Sequence, residues 1–338
     1  MQHSFALARL SPGSFAFVMA TGIVAVAARQ QGYARAALAL FGLNVAAWVA
    51  LSLLTALRLL RYRQEVLRDL RDHLRSPGFF TMVAGTGVLA SGCVLLGLGT
   101  TAALWLALLS FLLWFVLTYG VFGALVTGGH KPALDHGIGG GWLLAVVACQ
   151  SIAVAAGLLA GEFAQPWRLQ LNFAALAGWL FGGVLYTWLI ALIFYRWLFF
   201  RFSPADLAPP YWINMGAMAI STLAGAQLLA NAPQSPFLAA MLPFLQGFTV
   251  LYWATGTWWL PLLLALLAWR YLWRRDRAVA DSLDWSMVFP LGMYSAATHQ
   301  VALHLHLGFL QGVALVFFWL SVLAWGATLL AKAGRLRA

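Results

Sequence analysis

The chain has 338 residues, 63% hydrophobic and only 9% charged, with twenty Lys and Arg against nine Asp and Glu and a formal net charge of +11. A soluble domain carries about 25% charged residues, so this composition, with a mean hydropathy of +0.85, admits a polytopic membrane protein and excludes an ordinary soluble domain. The first apolar run is followed by Arg29-Gln30-Gln31 and not by small residues, so no cleavable signal peptide is expected.

In chain order, the first element is residues 11–25, SPGSFAFVMATGIVA. It returns sixty-five positions later at 76–90 as SPGFFTMVAGTGVLA, with eight of fifteen positions identical. Chance would give roughly one match at average residue usage. Each copy opens a long apolar stretch, and internal repeats across a bilayer are how transporters and pores are built. Apolar spans restart near Gly141, Tyr211 and Asp284. A hydrocarbon core of about 30 Å needs roughly 20 apolar residues per helix. Spans are expected at 11–28, 36–57, 78–98, 102–126, 141–160, 171–195, 211–230, 245–269, 285–304 and 308–331. The expected fold is an all-α polytopic membrane protein of ten transmembrane helices. They form a single domain of five hairpins, 11–57, 78–126, 141–195, 211–269 and 285–331, with 58–77 as a basic amphipathic linker.

Ser11-Pro12-Gly13 and Ser76-Pro77-Gly78 suit helix starts, with Ser capping and Pro in the first turn. Pro261 and Pro290 fall inside expected helices and invite kinks. The segment 236–273 is too long for one straight crossing, and its first part, around Pro243, is expected at the interface.

Charge orients these spans. Of the twenty basic residues, Arg29, Arg35 and Arg168 fall on one side and the other seventeen on the side of the N-terminus. The positive-inside rule then places both termini in the cytoplasm of an inner (plasma) membrane protein. The run 58–75, RLLRYRQEVLRDLRDHLR, reads as a basic amphipathic helix held by anionic headgroups. Nothing in the chain points to nucleic acid as a partner.

Every acidic residue falls in a loop or at a helix end. Ion-coupled transporters place ionisable groups within the membrane, and no carboxylate here serves that purpose. What the spans offer is small and hydroxylic: Thr21-Gly22, Gly85-Thr86-Gly87, Ser151, Ser221, Ser295 and Thr298, all on odd-numbered spans. Hydroxyls and backbone N–H groups solvate an anion weakly, which permits passage. The same small residues also suit close helix packing. Their confinement to one helix of each hairpin favours a pore lining.

His299, His304 and His306 cluster near the outer end of the ninth span. His304 and His306 diverge by about 200° on a helix, which is poor geometry for a shared metal, and no metal or cofactor is expected. His299 is a buried hydrogen-bonder or a pH sensor. The run Gly137–Gly141 after Asp135-His136 lacks the Lys-Ser/Thr ending of a phosphate loop and reads as a flexible entry to the fifth span. Cys93 and Cys149 lie on different spans, with no support for a disulfide.

The first span, from Phe15 to Ile23 with Thr21-Gly22-Ile23, resembles the opening helix of the tellurite-resistance/dicarboxylate transporter family. That family includes plant slow-type anion channels, fungal malate permeases and sulfite efflux pumps. The ninth span, Trp285-Ser286-Met287-Val288-Phe289-Pro290-Leu291-Gly292, is similar to the family's aromatic stretch ending in Phe-Pro. The resemblance implies five hairpins around a quasi-fivefold axis, a homotrimer with one pore per protomer, and odd-numbered helices lining each pore. It also implies a phenylalanine plug on the ninth helix, which is Phe289 here, beside Pro290. Phe15 and its repeat counterpart Phe80 are further constriction candidates. The expectation is a channel or facilitator for small anions in the lipid bilayer. The alternative is a proton-coupled carrier of dicarboxylate, sulfite or tellurite-like oxyanions, and an enzyme is not expected.

Overall fold

The computed structural model describes residues 7–274 and 285–335, which contain helices and no strand. Ten long helices alternate along the chain: α1 (Ala16–Gln30), α2 (Ala34–Arg61), α3 (Phe80–Leu95), α4 (Thr100–Thr127), α5 (Leu144–Glu162), α6 (Trp167–Phe199), α7 (Ile213–Asn231), α8 (Leu242–Ala268), α9 (Trp285–His304) and α10 (Leu310–Arg335). Among the described residues, nine helices are long and apolar enough to cross a membrane. The remaining one, α9, has the length but carries His299, Gln300 and His304, which make it less apolar. This is a multi-pass membrane protein.

Burial separates the helices into two classes. Along the best apolar stretch of α1, α3, α5 and α7, 67 to 94% of residues are buried, against 11 to 39% for α2, α4, α6, α8 and α10. In a bilayer, hydrophobicity does not distinguish inside from outside, because lipid is as apolar as leucine. Residue size does. The inner helices are rich in Gly, Ala, Ser and Thr, whereas the outer helices present Trp105, Phe111, Leu112, Phe115 and Trp188 to the surroundings. α9 belongs to the buried class. α1 packs on α3, α3 on α5, α5 on α7, α7 on α9, and α9 back on α1.

A hydrogen-bond pattern ties outer helices to inner ones. The indole of Trp48 on α2 donates to Thr86 Oγ1 on α3 at 2.9 Å. Trp253 on α8 donates to Thr298 on α9 at 3.0 Å, and Trp325 on α10 to Thr21 on α1 at 3.0 Å. Trp179 on α6 donates to the Ser221 carbonyl on α7 at 2.8 Å. In each pair a less buried helix holds a more buried one: α2 holds α3, α6 holds α7, α8 holds α9, and α10 holds α1. Each bond satisfies an indole N–H that hydrocarbon would leave unpaired.

Several local expectations change. Ser11 accepts from the Gly13 N–H at 3.2 Å and caps its turn, but Ser76 makes no cap: its hydroxyl is buried without a partner and the turn starts from Arg75. Residues 58–61 finish α2, Tyr62 breaks the helix at φ −130° and ψ 44°, and only Arg63–Arg71 forms the short amphipathic helix. Pro243 sits in the first turn of α8, where a missing N–H costs nothing, and a separate turn, Pro236–Ala239, precedes it. Asp284, near which the last apolar stretch is expected to restart, lies outside the described residues. Pro261 and Pro290 lie within helices, and Cys93 and Cys149 are free and buried.

Candidate functional site

Short 3-10 turns lead into four inner helices: Pro12–Phe15, Ser76–Phe79, Gly140–Leu143 and Pro209–Trp212. Proline fixes φ and glycine lets backbones approach, so these turns crowd together on the arginine-rich face. A Cβ on Gly78 would lie 2.8 Å from the Gly13 nitrogen, and one on Gly140 would collide with the Pro210 carbonyl and lie 2.6 Å from the Tyr211 Cα. Within the glycine run before α5, Gly140 is therefore a close backbone approach. Both neighbours are main chain and cannot rotate away. Gly140→Ala should destabilise the protein by about 1–3 kcal/mol, the usual cost of overpacking, read as a lowered melting temperature in detergent. An unchanged melting temperature would show that the turns can separate freely.

Where the turns meet, a cavity of about 230 Å³ opens. Gly13, Gly78, Gly141, Pro210 and Ser286 line it together with Ala16, Thr81, Leu144, Ile213 and Phe289. Each residue of the second set lies three positions after one of the first, about one helical turn deeper. Each of the five inner segments thus contributes one residue to each tier, and Met19 lies deeper still. In the second tier the other four residues are Ala, Thr, Leu and Ile, so Phe289 is the largest side chain. It is only 2% exposed.

Local packing fixes Phe289. Trp285, one turn before it, meets Phe17 edge-on at 4.8 Å and lies 6.4 Å from Trp325. Pro290 seats against Gly216 of α7, where a Cβ would come within 2.7 Å of its Cγ. These contacts hold the segment from both sides.

The remaining sequence candidates point elsewhere. Thr21, Thr86 and Thr298 present their hydroxyls to outer-helix tryptophans. Ser221 donates to Ala217 O within its own helix, and Ser295 to Ala314 O of α10. Gly22 lies against Asn44 and Val88, and Gly87 against Ser151 and Ser110. Phe80 meets Phe122 of α4 at 6.3 Å, and neither Phe80 nor Phe15 lines the cavity. Of the candidates, only Phe289 does.

Sequence reasoning passed over Arg75, which lines the mouth of this cavity. Its Nε donates to Asp69 Oδ1 at 2.5 Å, while Arg58 Nη2 donates to Asp69 Oδ2 at 2.6 Å. Arg58 also donates to the Ala8 carbonyl at 3.2 Å. Asp69 and Arg58 are buried, and the Arg75 side chain is about half exposed at 47%. The hydrogen bond to Asp69 pushes the Arg75 guanidinium up, so it stays charged. In a separate neighbouring concavity, Arg196 donates to Asp206, Tyr211 and the Ile138 carbonyl. Burial works against the Asp206 carboxylate, but the Ser203 hydroxyl and N–H, together with Arg196, hold it below the usual range. Among the described residues, no carboxylate lines the cavity.

Residues 9–332 match the family model described as Voltage-dependent anion channel (SLAC1). The uncharacterized transporter MJ0576 of Methanocaldococcus jannaschii is 26% identical over 328 residues, covering 94% of this chain and 91% of that protein. A second from the same organism, MJ0762, is 26% identical over 325 residues, covering 94% and 92%. The uncharacterized membrane protein Rv1735c of Mycobacterium tuberculosis is 35% identical over 156 residues, 46% of this chain and 78% of that protein. With a family match running from the first entry turn through the last helix, the chain belongs to the voltage-dependent anion channel (SLAC1) family.

Proposed function

We propose that this protein is an anion channel or facilitator whose conduction path runs through the ring of inner helices and is closed by Phe289. The observation that carries the reading is the cavity lined by equivalent residues of all five inner segments with Phe289 in its deeper tier. Helix N-termini carry about half a positive charge each. Those of α1, α3, α5 and α7 follow turns that border the cavity. With Arg75 at the mouth, the field there favours anions and repels cations. In this reading the ten helices are five membrane hairpins related by a quasi-fivefold axis. Both termini lie in the cytoplasm, the membrane is the inner one, and three copies assemble with one pore each. Passage down a gradient needs no bond-making step, so no enzyme activity is part of it.

For the coupled-transporter alternative, a candidate proton carrier is the half-buried His299 of α9, whose Nδ1 has no hydrogen-bond partner among the described residues. Reconstituted liposomes separate the two. For a channel, the current reverses at the anion's Nernst potential and ignores an imposed pH difference. A reversal potential that moves with the proton gradient would favour the carrier. Across a panel of monovalent and divalent anions, Arg75→Gln should lower capture of anions entering from the cytoplasmic face several-fold at low salt, with the deficit shrinking at high ionic strength as screening takes over. A salt-independent deficit, or none, would remove Arg75 from the conduction path.

A further inference from the structure

The arginine-rich face carries a second concavity of about 600 Å³, apart from the cavity within the ring. One wall is the stripe Gln64, Leu67, Arg68 and Arg71 of the short helix Arg63–Arg71. These positions, spaced i, i+3, i+4 and i+7, share one helix face. The facing wall is the end of α4, Ala124 and Leu125, with the turn Gly128–Gly129. His73 and His130 add two imidazoles to the lining.

Two guanidinium groups and one carboxylate line this groove. Asp72, its one carboxylate, accepts the backbone N–H groups of Leu74 and Arg75 at 2.8 and 2.9 Å. Arg68 pairs with Glu65 at the surface. Arg71 is exposed and makes no ion pair among the described residues. Guanidinium groups recognise phosphate oxygens through paired N–H donors.

The exposed apolar side of α4, the helix whose end walls the groove, points to the source of that phosphate. α4 exposes Phe111, Leu112, Phe115 and Val116 along its outer side and Val126 in its last turn. In a membrane protein that surface is covered by acyl chains, and its last member, Val126, is two residues before Gly128 of the groove wall. We propose that the groove is the headgroup site of an anionic phospholipid whose acyl chains lie along α4. A phosphodiester seats against Arg68 and Arg71, and the chains below it meet α4. The short helix turns Asp69 the other way, toward Arg58 and Arg75. The site does not depend on whether the bundle conducts.

The test uses the full-length protein in nanodiscs of phosphatidylcholine alone or of an equimolar mixture with phosphatidylglycerol. The readouts are lipid retained after detergent extraction, by native mass spectrometry, and melting temperature. Wild type should retain phosphatidylglycerol and melt higher in its presence. Arg68→Gln with Arg71→Gln should cut retention several-fold and abolish the shift. Arg61→Gln with Arg63→Gln removes the same charge from exposed positions outside the groove and should change neither. If the double groove variant fails to insert, Arg71→Gln alone supplies the comparison. No retention by wild type, or equal loss in both double variants, overturns the proposal. Displacement of the lipid by millimolar inorganic phosphate would assign the groove to a free anion and overturn the lipid assignment.

Discussion

Phe289→Ala should yield a folded, membrane-inserted protein whose basal anion conductance is raised by about tenfold or more, with Phe289→Leu in between. Tenfold corresponds to only ~1.4 kcal/mol off the barrier, a modest demand for removing the largest side chain from a narrow apolar constriction. The same substitution in a sealed core costs about 3–5 kcal/mol, because it leaves a void the surroundings cannot fill. Phe289 is buried, yet it borders a cavity that already exists. Truncation there enlarges an opening that water can enter, so the loss of stability should fall below that range. Conductance and melting temperature must be read on one preparation. A destabilised protein with unchanged current per inserted molecule would make Phe289 ordinary packing and end the plug assignment.

The largest loss of stability is expected from Asp69→Ala. This carboxylate receives two guanidinium groups, and its partner Arg58 is only 4% exposed. Removing one member of a buried pair strands the other, at about 3–5 kcal/mol. Arg75→Ala should cost much less, about 1 kcal/mol or under, since Arg75 is half in solvent. Thermal unfolding in detergent should rank the variants in that order. Equal melting of Asp69→Ala and Arg75→Ala would show that the Ala8 carbonyl alone satisfies Arg58.

The hairpin rhythm is legible in the sequence because it is local. Ser-Pro-Gly before an apolar run marks a helix entry wherever it occurs, and long apolar runs between charged loops mark spans. Phe289 stands out through its likeness to a family stretch, not through periodicity, which treats it as one more apolar residue. Thr21 and Thr86 read as pore lining because a hydroxyl on an apolar helix looks unsatisfied. Their partners, Trp325 and Trp48, sit on other helices, α10 and α2, and helix period does not reveal which helix faces which. Arg75 was hidden differently: in a run of six arginines between 58 and 75, topogenic charge masks the one arginine that reaches the cavity.

The bond from Trp325 to Thr21 joins residues 304 positions apart. At ribosomal speeds of about 5–20 residues per second, α1 reaches the bilayer roughly 15–60 s before the indole that will hold it exists. During that interval the ring is an open arc with two unmatched edges, one on α1 and one on the newest hairpin. Both stay unmatched until α9 and α10 arrive. Closure therefore waits for the last helix, and a chain that stops short of α10 leaves Thr21 without its indole partner.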